Sequence, residues 1–546
     1  MVKQLSPRAR LIFLPLVVFA VFLAYGKSLG GGFVFDDHHF VENNSAIKSL
    51  RNAFRFFYDP ATLSDSAGLN SDGYRPLATL SYAVDYALAG PNPGYFRVVN
   101  LLLHCCNALL VFYLGRLLGF AGIYAGLMSA WFALFPANVE AVVWISSRST
   151  VLSTALILSA LICFIKRVER DKTKYLPPAA LFTAAALFTR EIAVVIPLLA
   201  IAYLTAGRGR VKKHLGAAGL YLALPAVLFV ILRSLLLGRF GQASPPDLPL
   251  PAFISLPFLL FAKYLDILLY PFSMLITYSD LIHLRLSLFW LYFPLAVALF
   301  VMYAGLTALL RARGEKTAAL GLLWIWIAFL PVLNIVPLTF YMAERLVYLP
   351  LIGFAMAVAA AARYINERYR LRALLWTVCA VPLALFAVNI QGRLPVWRSD
   401  TSLWQYDAEK NPGNFITRLR LAEALRSEGN LSGAYSALSA ARGLASDDGQ
   451  RAMICNELGT LYAVNNELEK AKSLFQASVK LDPAGYLAFY NLARVSALQR
   501  DIAAARKYLA RSLALNGGYA PAAALAASLQ GGAPSGKPAG AKPAVK

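Results

Sequence analysis

The residues best suited to chemistry in this chain begin with two adjacent carboxylates, Asp36 and Asp37, in Phe35-Asp36-Asp37-His38-His39 just beyond the first apolar run. Two like charges in a partly apolar setting raise the pKa of one, which suits a general base or a cation-binding group. Capping of a short helix is the competing reading of the same pair. Arg75, in Gly73-Tyr74-Arg75-Pro76, offers a planar donor fork of the kind that grips a phosphate. Glu140 and Arg148 follow in a second loop, Arg190 and Glu191 in a third, and Tyr341, Glu344 and Arg345 in a fourth. For Arg190-Glu191 and Glu344-Arg345 the competing reading is a local ion pair that eases helix entry into lipid. His104 falls inside an apolar run, where an interhelical hydrogen bond is the favoured reading. No cofactor is certain: His38 and His39 could hold a divalent metal, but no third ligand stands at a useful spacing.

Acids and arginines gathered at one membrane face fit a particular chemistry. A lipid-linked phosphosugar would present its phosphate to arginine while a carboxylate deprotonates an incoming hydroxyl and cations stabilise the departing phosphate.

Such groups need elements to hold them. The chain has 546 residues, 58% hydrophobic and only 15% charged, with a mean hydropathy of +0.57. A water-facing surface needs more charge than that, so the class is integral membrane. The net charge of +23 lies largely in short clusters between apolar runs, the mark of cytoplasmic loops rather than of nucleic-acid binding. Apolar runs near 9–27, 97–117, 119–136, 147–165, 175–189, 191–206, 215–237, 287–310, 316–333, 346–363 and 371–391 read as spans, about eleven in all. The first reads as an uncleaved span rather than a signal peptide, since no small-x-small site follows it. The stretch 253–277 is interrupted by Lys263, Asp266 and Pro271 and reads as a re-entrant or interfacial segment. With it not crossing, Arg116, the run 166–174, the cluster 208–213, Arg311 with Lys316, and Arg363 with Arg372 all fall on the cytoplasmic side. The acidic first loop, 27–96, and the C-terminus then lie outside. Five cysteines without metal spacing read as small buried hydrophobes.

From about Trp397 the composition turns soluble and alanine-rich. Ala471 and Ala505 are 34 residues apart, while Ala434 and Ala471 are 37 apart. That is the period of a TPR, with small residues where antiparallel helices touch. Three repeats over 415–519 are expected, with Pro521 to Leu529 as a cap and 531–546 a disordered tail.

The order of motifs carries a resemblance. Phe35-Asp36-Asp37, Tyr74-Arg75-Pro76-Leu77, Asn100 with His104, Pro136 with Glu140, the run from Ala343-Glu344-Arg345 to Pro350, and Trp397-Arg398-Ser399-Asp400 occur in this sequence before the repeats. Together they resemble the transmembrane-and-TPR protein O-mannosyltransferase family, over all but the tail. The resemblance implies an all-α polytopic bundle of the GT-C type at 1–396, followed by a TPR α-solenoid at 397–530. It implies an inverting glycosyltransferase that moves a sugar from a polyprenyl-phosphate donor to a hydroxyl of a protein or glycan, with the TPRs binding acceptor or partner. Asp36 or Asp37 would be the base, and Glu140 and Arg148 would shape the site. Glu344 and Arg345 would lie near the donor phosphate or hold their loop. Arg190 stands where similar proteins tend to have lysine. So short a repeat array implies a prokaryotic member in a bacterial inner membrane, with the TPRs periplasmic. A membrane-anchored TPR scaffold and a lipid or solute transporter are the alternatives; clustered membrane acids count against the first, and the absence of matching halves against the second.

Overall fold

A backbone without water around it must bond to itself, and long apolar runs therefore become helices. The computed structural model describes residues 7–65, 73–208, 211–238, 249–278, 288–338, 340–370 and 372–530. The expected disordered tail at 531–546 lies outside them. Among the described residues the chain is helical throughout, with no strand. It divides into two compact units, Met1–Ser399 and Asp400–Lys546.

The chain is a multi-pass membrane protein. By length and composition, Pro93–Leu117, Ile145–Arg170, Val211–Leu237, Leu250–Leu269, Trp290–Ala312 and Thr377–Trp397 can each cross a membrane. Other expected spans are shorter helices, such as Gly122–Ala133, Leu176–Thr189 and Lys316–Phe329. At 1.5 Å per residue a 14-residue helix reaches about 21 Å.

The loops sort into two ends. At one end Asp171 pairs with Lys213 and Arg167, each at 2.5 Å. There Lys316 donates to the Gly207 carbonyl at 3.4 Å, and Arg363 pairs with Glu315 at 3.7 Å while lying over the Phe120 ring. The basic loops thus share this end. At the opposite end Ser146 holds Asp37, Arg75 faces Glu191, and Glu344 meets Arg393.

The stretch at 253–277 is less broken than its charges suggest. Leu250–Leu269 is one continuous helix with Pro257 inside it, and Lys263 pairs with Asp266 at 2.5 Å. An ion pair one turn apart lowers the burden of both charges, and the helix stops before Pro271. The preceding helix reaches the acidic end, where Arg233 Nε comes to 3.9 Å from Glu191. After Leu269, Met274 and Tyr278 meet Arg393 and Glu344 at that same end.

Helices Lys316–Phe329 and Pro350–Tyr369 touch backbone to backbone at Gly321 and Gly353. A methyl group on Gly353 would run into the Gly321 carbonyl oxygen. Small residues allow such approach where lipid provides no hydrophobic drive. Trp324 Nε1 closes the contact, donating to the Leu349 carbonyl at 3.0 Å.

In the second unit, antiparallel pairs repeat: Phe415–Ser427 with Leu431–Leu444, Asp448–Val464 with Leu468–Leu481, and Tyr486–Leu498 with Ile502–Leu515. Ala434, Ala471 and Ala505 are each wholly buried where the paired helices meet. Phe475 fills the notch above Gly459, where a side chain would clash with its ring. Ser478 Oγ donates to the Ala452 carbonyl at 2.8 Å, and Ser512 Oγ repeats the bond to Tyr486 at 2.9 Å. A last helix, Ala520–Gln530, covers the final pair with Ala522 against Leu509.

Gly353→Ala should lower stability by about 1–3 kcal/mol, the usual effect of overpacking, seen as a lower thermal unfolding midpoint in detergent. An unchanged midpoint would show that the two helices can part.

Candidate active site

The turn that follows the first helix is fixed by hydrogen bonds to a distant loop. Asp37 is wholly buried and accepts from Val34 N at 3.1 Å, Ser146 N at 2.7 Å and Ser146 Oγ at 2.5 Å. Burial pushes its carboxyl up to about 6, although the Ser146 bonds and the Arg97 guanidinium pull the other way. Asp36 is only half-buried, and its carbonyl accepts from the amides of His39 and Phe40. The two carboxylates thus differ: Asp37 is committed to holding the loop, while Asp36 is only partly buried. Phe35 has φ 56, a left-handed backbone that costs a bulky residue about 1–3 kcal/mol. Its ring stacks on Trp144 at 5.7 Å, and Trp144 stacks in turn on Trp397 at 5.7 Å.

Around this turn the arginines divide by partner. Arg148 is fully buried and its donors are committed: Nε to Asn100 at 2.8 Å, Nη2 to the Phe96 carbonyl at 2.8 Å, and Nη1 to Asp85 at 2.5 Å. It pins helices rather than opening to a ligand. Arg345 is clamped by Glu140, which also accepts from the Arg345 amide at 2.8 Å, and its guanidinium lies over Trp144. Glu344 pairs with Arg393 at 2.7 Å, and Tyr278 points its hydroxyl at the same carboxylate from 3.4 Å. The Tyr341 carbonyl accepts from Asn334 at 2.9 Å within the same loop.

Arg190 differs from the others. It is almost fully buried and donates to Ser149 Oγ at 3.2 Å and to Thr150 Oγ1, with no carboxylate within ion-pair reach among the described residues. A buried guanidinium bonded only to neutral hydroxyls is poorly compensated, which favours an anion nearby. Arg75 Nε sits 3.4 Å from Glu191, the residue next to Arg190. Arg75, Arg190 and Arg233 thus gather around the single carboxylate of Glu191.

His104 lies within its helix, its Nε2 against the Ala133 carbonyl at 3.0 Å and its Nδ1 against Tyr348 Oη at 2.7 Å. A carbonyl can only accept, so Nε2 carries the proton and Tyr348 donates to Nδ1. His38 pairs with Glu42 at 2.5 Å and His39 with Asp65 at 2.9 Å. No group of three metal-ligating side chains occurs among the described residues.

Reading the sequence did not single out Arg97, Arg233 or Arg393 as site residues. Arg97 begins an apolar helix and resembles any flanking arginine; its role depends on carbonyls from other segments.

No family model matches the chain. It is 24% identical to protein O-mannosyl-transferase TMTC3 of Mus musculus over 508 residues, 86% of this chain and 54% of that protein. It is 35% identical over 153 residues to protein O-mannosyl-transferase TMTC1 of Mus musculus, 27% of this chain and 16% of that protein. It is 31% identical over 183 residues to protein O-mannosyl-transferase Tmtc1 of Drosophila melanogaster, 33% of this chain and 21% of that protein. In the longest of these matches the chain spans about half the length of its relative.

The raised Asp37 carboxyl has a signed consequence. Its contribution to stability is present below the ordinary aspartate value of 3.8 and is lost as pH rises through about 6. Asp37→Asn should remove roughly 3 kcal/mol of pH-dependence between these limits. Unfolding midpoints of wild type and variant across pH 4–7 check this, and parallel curves would refute it.

Proposed function

Because the chain is a homologue of proteins named protein O-mannosyl-transferases, the family its motif order resembles, we propose that it is a membrane glycosyltransferase of the GT-C type. It moves a mannosyl unit from a polyprenyl-phosphate carrier to a hydroxyl of a protein acceptor. The single observation that carries this reading is Arg190: a buried guanidinium, bonded only to hydroxyls, asks for an anion. A lipid phosphate at the membrane boundary meets that demand.

Asp36 takes the proton from the acceptor hydroxyl, whose oxygen forms the new bond to the anomeric carbon. The bond from that carbon to the phosphate oxygen breaks, and the oxygen keeps the electron pair. Arg190 and Arg75 stabilise the resulting negative charge. Asp37 does not move a proton; it anchors the turn through Ser146. Glu140 orients Arg345, and Arg393 orients Glu344, which fixes the loop that carries them.

The reacting end faces away from the cytoplasm. Support comes from the basic loops, which share the opposite end of the bundle. The chain emerges from its last membrane helix at the reacting end, where Arg393 meets Glu344. The repeats of the second unit are TPR-type and hold the acceptor.

Purified protein given a polyprenyl-phosphate-linked mannose and a hydroxyl-bearing peptide should form the glycopeptide. Asp36→Asn should lower kcat at least a hundredfold with donor affinity retained, in line with loss of a general base. Arg190→Met should raise the donor KM ten- to a hundredfold, the effect of one charge-assisted contact of about 1.5–3 kcal/mol. A double variant, Asp36→Asn with Asp37→Asn, as active as wild type would sink the reading.

A further inference from the structure

Phe35 is a strained residue beside the proposed base, and beyond the turn's own backbone bonds its ring meets one indole. Its ring stacks on Trp144 with an interplanar angle of 25°. Trp144 Nε1 donates to the Val34 carbonyl at 3.2 Å, and the Val34 amide donates to Asp37 at 3.1 Å. Both neighbours of Asp36 are therefore fixed, one by stacking and one by hydrogen bonds. An aromatic residue enters the left-handed region only when its surroundings over-determine it, and such strain gathers at functional sites. Glycine or asparagine would hold the same backbone at less cost. That neither stands here points to a use for the ring.

The same indole also carries the guanidinium of Arg345, 4.9 Å from its ring centre, and Glu140 clamps that arginine in place. Trp144 is thus shared by the turn bearing Asp36 and by the loop bearing Glu344 and Arg345.

We propose that Phe35 and Trp144 are positioning residues for the transfer reaction, their stack holding the strained turn that presents Asp36 in register with the Arg345 loop. The proposal rests on Asp36 being the base. Neither aromatic touches the reacting atoms; they act through the carboxylate.

The experiment compares wild type with Phe35→Asn and Phe35→Tyr. Asparagine tolerates the left-handed backbone but lacks the stacking ring, whereas tyrosine restores it. Phe35→Asn should unfold at or above the wild-type temperature, because strain is relieved, yet lose at least tenfold in kcat with donor KM within twofold. Amides 36–40 should exchange hydrogen faster in that variant before any donor is added. Phe35→Tyr should recover kcat to within threefold and restore slow exchange. An unchanged kcat and unchanged exchange in Phe35→Asn would overturn the proposal, as would a fall in melting temperature with KM and kcat worsening together. If wild type transfers no sugar, the transferase reading fails, while the exchange rates still decide whether the stack holds the turn.

Discussion

One buried guanidinium holds the acidic end of the bundle together. Arg97 donates to the carbonyls of Gly31 at 2.5 Å, Val143 at 3.1 Å and Trp397 at 3.5 Å, and to that of Gly32. A guanidinium has five donors in a rigid plane, and carbonyls at fixed angles around it leave little freedom. Three segments far apart in sequence are tied by this one group: the start of the first loop, the loop before Ser146, and the turn after the last membrane helix. Gly31 permits the approach, since a side chain there would press on Trp397 and on Arg97 itself. The charge also reaches Asp37, whose carboxyl it favours in the ionised form against burial. Remove Arg97 and the anchors of the carboxylate turn lose their common reference.

How legible was this arrangement in the sequence? The helical class, the paired carboxylates and the 34-residue recurrence all leave local signatures, because they follow from composition, adjacency and period. Partnerships do not. Arg190-Glu191 and Glu344-Arg345 invite pairing as neighbours, yet Glu191 faces Arg75, Glu344 pairs with Arg393 and Arg345 with Glu140. Adjacent residues on a helical turn point apart, so neighbours in sequence are poor guides to ion pairs. Arg148 carried the same signature as Arg190 in the sequence, but Asp85 and Asn100 claim its donors. Only the fold separates an arginine that pins helices from one that remains available to an anion.

The apolar stretch around Lys263 shows the same limit from another side. Its charges looked disruptive, but a one-turn ion pair lets the helix continue through them. Length and composition alone would make it a crossing helix. On either side of it the chain meets acidic residues, Arg233 near Glu191 and Tyr278 at Glu344.

The serine bonds in the second unit have a bearing on how such a chain can evolve. Ser478 and Ser512 make the same bond to a carbonyl 26 residues earlier, one in each of two successive pairs. Each pair therefore carries its own fastening, independent of what precedes it. A unit built that way can be lengthened or shortened by whole pairs, each bringing its own bond with it.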